Sequence, residues 1–269
     1  MTPATATESL RSRVLRGGRE FRVALAEPVS LARAVEFHVE GGGLRFFGAP
    51  PATSNALQVG PFLGAVERGA SCNCATLTLT PHCHGTHTEC LGHLTAERID
   101  AWRIVPRGLM NAVLVTAKPE ERVVSRAALA AALQRTIPAM PPMHDVTALI
   151  LRTGCADDAM AHLSPDAAAL LVEHGILHVV LDMASMDPAE DGGELAAHRV
   201  FFGLPARHRD GSVTRALEAR AERSRCSITE LARIPPELAD GACLLQLAVP
   251  ELDGDAVPSS PLLYPLVPA

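Results

Sequence analysis

The chain has 269 residues, 48% hydrophobic but only 3% aromatic, enough for a buried core built mainly of Ala, Val and Leu and unlike a disordered chain. A formal net charge of -6 argues against a nucleic-acid partner, which needs clustered Lys and Arg, and no apolar run of about eighteen residues exists to span a membrane. Seven cysteines, an odd number at low density, exclude a disulfide scaffold and point to a reducing, cytoplasmic setting.

Along the chain, Arg11, Arg13, Arg16, Arg19 and Arg22 form a basic run, but Glu8 and Glu20 interrupt it and no apolar signal core accompanies it. Residues 1–20 therefore read as a flexible or short helical N-terminal segment, followed by a single domain over 21–269. Residues 41–61 are dense in Gly, Pro, Ser and Asn and predict a long irregular segment. ATLTLT at 75–80 alternates, with Leu77 and Leu79 on one face of a strand that Pro81 ends. NAVLVT at 111–116 and VTALIL at 146–151 are further strands. Ser125 caps a helix to about Thr136, and Pro138 stops it. Ser164, Pro165, Asp166 and Gly175 are the N-cap, first-turn proline, acidic first turn and terminal glycine of a second helix. ILHVVLD at 176–182 follows as a strand buried on both faces. Beyond it come an exposed helix around 213–223, a short segment starting at SITE 227–230, a strand at 244–249 and a proline-rich tail over 250–269, extended across the surface.

Residues 81–93, PHCHGTHTECLGH, place four histidines, two cysteines and a glutamate in thirteen positions. Cys83 and His87 are four apart around Gly85, His87 and Glu89 point the same way from an extended segment, and Glu89 to His93 is again a four-residue step. An extended stretch leading into a first helical turn would converge Cys83, His87, Glu89 and His93 on one metal ion. His82 and His84, facing the opposite side of that stretch, are candidates for orienting a ligand or touching substrate. Cys90 is a spare donor. The competing expectation is a histidine-rich loop facing water. His198 and Glu230 are two further residues that could close the site. Asp182, at the end of a buried strand, is either hydrogen-bonded structurally or part of the site. The pair Cys72 and Cys74 lacks the helix-start context that activates a thiol.

Read as CHGTHTECLGH from Cys83 to His93, the motif resembles the HxGTHxDxPxH of the metal-dependent cyclase family, the hydrolases that include bacterial kynurenine formamidase and isatin hydrolase. ALILRTG at 148–154, LSPDAAALLVEHGI at 163–176 and VVLDMASMDP at 179–188 are similar to that family's strand and turn, helix and GIDxxSxD elements, with His198 and Glu230 resembling its later histidine and glutamate. Cys83, Glu89 and Leu91 stand where the family has histidine, aspartate and proline. A local slip that substitutes His82 or His84 for Cys83 is the alternative.

The resemblance implies an α/β fold, a single domain with a mixed sheet flanked by helices of the swivelling β/β/α type. It also implies a metal-dependent amidohydrolase acting on a small amide or lactam, arylformamidase-like. One or two ions, Zn2+ first because a thiolate is soft and Mn2+ second, would be held by Cys83, His87, Glu89, His198 and Glu230. Metal-activated water would attack the carbonyl with His93 as general base and then acid, and His198 as a second such residue or a ligand. Ser185 and Asp187 are not expected to form a nucleophilic pair. Phe46, Phe47, Trp102, Phe201 and Phe202 are candidate walls for an aromatic substrate, and a homodimer or homotetramer is implied. The alternatives are an inactive metal or small-molecule binding protein on the same scaffold, and a metal-dependent cyclase or dehydratase.

Overall fold

Runs of Val, Leu, Ile and Ala long enough for one strand and without polar interruption can be buried on both faces, and three such runs, at 112–115, 148–151 and 179–181, build the middle of the molecule. The computed structural model describes residues 11–39, 41–136, 145–156, 160–219 and 221–269. Its main sheet has nine strands: β1 (Val29–Ser30), β2 (His87–Cys90), β3 (Met110–Thr116), β4 (Ala148–Arg152), β5 (His178–Leu181), β6 (Ser227–Glu230), β7 (Gly241–Ala248), β8 (Ala256–Pro258) and β9 (Ser260–Pro265). Their spatial order is β8-β2-β6-β5-β4-β3-β7-β9-β1. The central β3, β4, β5 and β6 are parallel, and antiparallel strands flank them on both sides.

The pleat divides the core in two. Val113, Val115, Leu149, Leu151, Val179 and Leu181 point to the helical side. Ala112, Leu114, Ala148, Ile150 and Val180 point to the other, where Leu31, Leu245 and Leu263 meet them. The helices are α1 (Pro81–His84), α2 (Ala101–Ile104), α3 (Arg126–Thr136), α4 (Pro165–Glu173) and α5 (Ala196–Phe202). Both expected caps form: Ser125 Oγ accepts from Ala128 N at 3.2 Å and Ser164 Oγ from Ala167 N at 3.1 Å. Pro138 lies outside the described residues.

The structure corrects four expectations. Residues 11–20 are neither flexible nor helical: Arg11–Arg16 and Arg19–Ala24 form a hairpin. Gly17 and Gly18, at φ 55° and 75°, supply the two left-handed residues that a tight hairpin turn requires. The helix expected at 213–223 is reduced to short 3-10 turns at Ala216–Glu218 and Ala221–Arg225. Tertiary contacts claim the backbone there: Thr214 O accepts from Ala96 N at 3.0 Å, and Ala216 N donates to Glu97 Oε2 at 2.7 Å. The tail does not lie over the surface, because β8 and β9 are members of the sheet, with Leu263 and Tyr264 buried. Pro258, Pro261, Pro265 and Pro268 sit at or next to strand ends. Finally, Ala75–Thr78 pairs with Thr53–Ala56 in a separate two-stranded sheet and is exposed throughout, Leu77 included. Its alternation therefore does not mark a buried face. Among the described residues no helix is long and apolar enough to cross a membrane.

His178 opens β5 in a buried position, hydrogen-bonded to Ser227 Oγ at 2.9 Å across the β5–β6 pair. Burial, and then the nearby Arg223 charge, push its pKa down to about 4. A histidine depressed in the folded state leaves the unfolded chain with the greater proton uptake, so its contribution is complete above about pH 6.5 and declines toward pH 4. Urea denaturation at about pH 7.5 and about pH 5 should show the native protein losing roughly 2 kcal/mol more than His178→Gln. Equal losses in the two proteins would contradict this.

Candidate metal centre

Pro81 starts a single helical turn, closed by Cys83 N donating to Thr80 O at 3.0 Å, and the chain then enters β2 and a 3-10 turn at Leu91–His93. The extended stretch expected from residue 81 is thus helical over its first four residues. Side chains on a helical turn are separated by about 100° instead of the 180° of a strand, so His82 and Cys83 exchange roles. His82 points at Glu89. Cys83 belongs to neither group of converging donors, and burial raises its thiol above the ordinary range. The preference for zinc that rested on a thiolate goes with it. Gly85 admits the neighbouring segment, since a Cβ there would lie 3.0 Å from Arg33 O.

Strand register assembles the rest. β2 and β6 pair antiparallel with His87 opposite Glu230 and Thr88 opposite Thr229. Alternation puts His87, Glu89 and Glu230 on one face, while the Thr88 and Thr229 hydroxyls bond each other at 2.7 Å on the other. Two donor groups result, sharing Glu89: His87, Glu89 and Glu230, all buried, and His82, Glu89 and His93 on the solvent side, each with ligand atoms within 4.8 Å of one another. His198, from α5, abuts the inner group, with Nε2 3.0 Å from Glu89 Oε1 and 3.4 Å from Glu230 Oε1.

The four imidazoles follow one pattern. His87 Nδ1 is bonded to Gly85 O at 3.1 Å, His198 Nδ1 to Asp187 Oδ2 at 2.6 Å, and His82 Nε2 and His93 Nδ1 both to Asp255 Oδ2, at 2.9 and 3.2 Å. Each ring therefore gives one N–H to an oxygen and turns the other nitrogen inward. His82 Nδ1 and His93 Nε2 lie 3.1 and 3.9 Å from Glu89 Oε2, and His87 Nε2 lies 3.5 Å from Glu230 Oε2. Yet His87 Nε2, His198 Nε2 and both Glu89 oxygens are buried without an aligned hydrogen-bond partner. Buried polar atoms that crowd within 4.8 Å of one another without well-aligned hydrogen bonds are what a cation requires, and imidazole with carboxylate suits Zn2+ or Mn2+. These residues fit a divalent metal.

Charge agrees with geometry. Burial alone would raise the Glu89 carboxyl, but His93 and His198, with contacts from His198 and His82, hold it well below its ordinary value. Burial would likewise lower His82, yet Asp255 and Glu89 push it up to about 10. His198 is raised well above its ordinary value despite complete burial, by Glu89, Asp187 and Glu230. Protons thus stand where a metal would displace them.

Three expected site residues serve elsewhere. His84 accepts from Thr80 N at 3.0 Å and donates from Nε2 to Pro50 O at 2.8 Å, tying the 41–61 segment to the site. Asp182 receives Thr153 N, Thr153 Oγ1 and Gly154 N at 2.8–3.1 Å and so holds the turn after β4. Cys90 is buried in its own apolar cluster and burial pushes it up to about 12. Phe201 and Phe202 are core, Phe47 is exposed, and Trp102 is half-buried with Nε1 3.4 Å from Asp253 Oδ1. Phe46 lines a small cavity with Asp182, Met183 and Leu231. Two orienting carboxylates escaped the sequence reading. Asp187 caps α5 by accepting from Ala197 N and His198 N, and only its place as the last aspartate of the GIDxxSxD-like element hinted at it. Asp255, in an acidic surface-like tail, carried no signal.

Among curated proteins none matches the chain. Solved structures share its fold. A predicted metal-dependent hydrolase from Bacillus stearothermophilus is 14% identical, with a TM-score of 0.56 over 88% of this chain and 98% of that one. Isatin hydrolase A from Labrenzia aggregata is 12% identical, with a TM-score of 0.59 over 90% and 94%. A potential metal-dependent hydrolase with cyclase activity is 14% identical, with a TM-score of 0.59 over 88% and 97%. Residues 25–188, more than half of the chain and inclusive of His82, His87, Glu89, His93 and Asp187, match the family model described as putative cyclase. The chain belongs to the putative cyclase family, as a divergent member.

Proposed function

We propose that the protein is a divalent-metal-dependent hydrolase of a small amide or lactam. The observation that supports this reading is the set of buried ligand atoms that converge around Glu89 without aligned hydrogen bonds. Glu89 is the shared carboxylate, with His87, Glu230 and His198 on its buried side and His82 on its solvent side. Bound there, a divalent cation supplies Lewis acidity, polarising a carbonyl oxygen and acidifying a water molecule.

The chain's own residues do the remainder. Asp187 holds the His198 ring, and the Gly85 carbonyl holds His87, so that both present one nitrogen to the carboxylates. His93, 27% exposed at the open edge, is the ring best placed to take a proton from water at Nε2 and return it to a departing nitrogen. A small aromatic lactam or aryl formamide is the first substrate to try, because the fold is shared with a protein named for isatin hydrolysis.

Elemental analysis should find about one zinc or manganese ion per chain, retained in Cys83→Ala and lost in His87→Ala and Glu89→Gln. Metal lost from Cys83→Ala would restore the thiolate to the ligand set. On a panel of aryl formamides, lactams and esters, the metal-loaded protein should hydrolyse at least one amide or lactam. His93→Asn should keep its metal while kcat falls about 10²- to 10⁴-fold. Metal uptake without turnover across the panel would leave a binding protein, and a product formed without addition of water would leave a cyclase or dehydratase.

A further inference from the structure

The inward-facing rings are not held alike. His87 and His198 each have an acceptor of their own, whereas His82 and His93 depend on a single atom, Asp255 Oδ2. Their rings lie side by side, centroids 4.3 Å apart and tilted by 33°. Asp255 comes from the loop between β7 and β8, beyond the residues that match the family model.

That loop is anchored on both sides of the aspartate. Asp255 O accepts from Cys90 N at 3.0 Å, Gly254 N donates to Asp100 Oδ1 at 3.1 Å, and Gly254 O accepts from Ala101 N at 2.8 Å. Gly92 makes the approach possible, because a Cβ there would stand 2.6 Å from Ile99 O and 3.3 Å from Asp255 Cβ. The side chain is 43% exposed, so water could satisfy either ring alone. A water accepting from both would itself need holding in place, whereas the Asp255 backbone is already anchored. A carboxylate oxygen accepts only, so each ring must place its proton on the nitrogen facing Asp255.

We propose that Asp255 is a positioning residue that fixes one proton on each of two histidines at once, on Nε2 of His82 and Nδ1 of His93, and thereby leaves His82 Nδ1 and His93 Nε2 as the nitrogens that face Glu89 and are open to a cation there. The assignment rests on the metal-hydrolase reading for the use of those two nitrogens. It also gives the carboxy-terminal region a specific part in a site whose motif lies far earlier in the chain.

The test uses zinc-loaded, 15N-histidine-labelled full-length protein at neutral pH. Long-range 1H–15N spectra should place the ring protons on His82 Nε2 and His93 Nδ1. In D255A these signals should be lost to exchange or mixed tautomers, and zinc affinity by chelator competition should fall roughly 10- to 100-fold. D255N, which keeps an acceptor oxygen, should retain the tautomers and most of the affinity. Should D255A not fold, D255E carries the test by moving the oxygen one methylene away, with the same loss expected. Protons on His82 Nδ1 or His93 Nε2 in the native protein, or D255A spectra and affinity within twofold of native, would overturn the assignment alone. No zinc uptake by the native protein would overturn the metal reading and this assignment together, while zinc uptake with the expected spectra but no turnover would overturn only the hydrolase.

Discussion

Two carboxylates, Glu89 and Glu230, are buried side by side, 0% and 3% exposed, and the rest of the site exists because that charge must be answered. An isolated buried carboxylate is costly by several kcal/mol, and a pair of them adds repulsion. Their neighbours are four imidazoles, three of which contribute ring nitrogens within 3.5 Å of a carboxylate oxygen. In the metal-free chain protons supply the compensating charge. A divalent cation supplies more of it from one point, which is why the donors are arranged around a centre and not as separate pairs.

The scaffold delivers this arrangement through register. The pairing of β2 with β6 sets His87 opposite Glu230, and a slip of β2 by one residue would turn His87 and Glu89 to the opposite face and leave Glu230 behind. The parallel centre of the sheet provides the rigidity, with β4 and β5 buried along their whole length. α5 then brings His198 in from the helical layer, its position fixed by Asp187, which binds both the ring and the first backbone amides of the helix. A side chain that orients a ligand and caps the helix carrying it couples local folding to site geometry. Asp255 does the equivalent on the solvent side, from a loop that belongs to neither layer.

Much of this was legible in the sequence because it rests on local rules. The parallel strands, the capped helices at 126–136 and 165–173, and the clustering of His87, Glu89 and His93 follow from hydrophobic runs, capping residues and motif spacing, whereas His198 and Glu230 join them only through the resemblance to the cyclase family. What was not legible depends on contacts distant in the chain or on one turn of backbone. Cys83 looked like a ligand because residues 81–84 were read as extended, and Pro81 instead begins a helical turn that hands the position to His82. The 213–223 helix failed because Glu97 and Ala96 take up the backbone groups that a helix would use. The tail read as surface because of its prolines, while Leu262–Tyr264 between them pair in register with Leu244–Gln246. Asp187 and Asp255 look like any other surface aspartates until the histidines they hold are seen beside them.

The central claim is that the oxygen and nitrogen atoms around Glu89 hold a divalent cation and that the Cys83 thiol does not. A crystal grown with zinc, with diffraction data collected on both sides of the zinc absorption edge, tests it directly. The account predicts an anomalous peak about 2.0–2.2 Å from a Glu89 oxygen and from ring nitrogens of the surrounding histidines. A peak on Cys83 Sγ, or none near Glu89 in protein saturated with zinc, would contradict it.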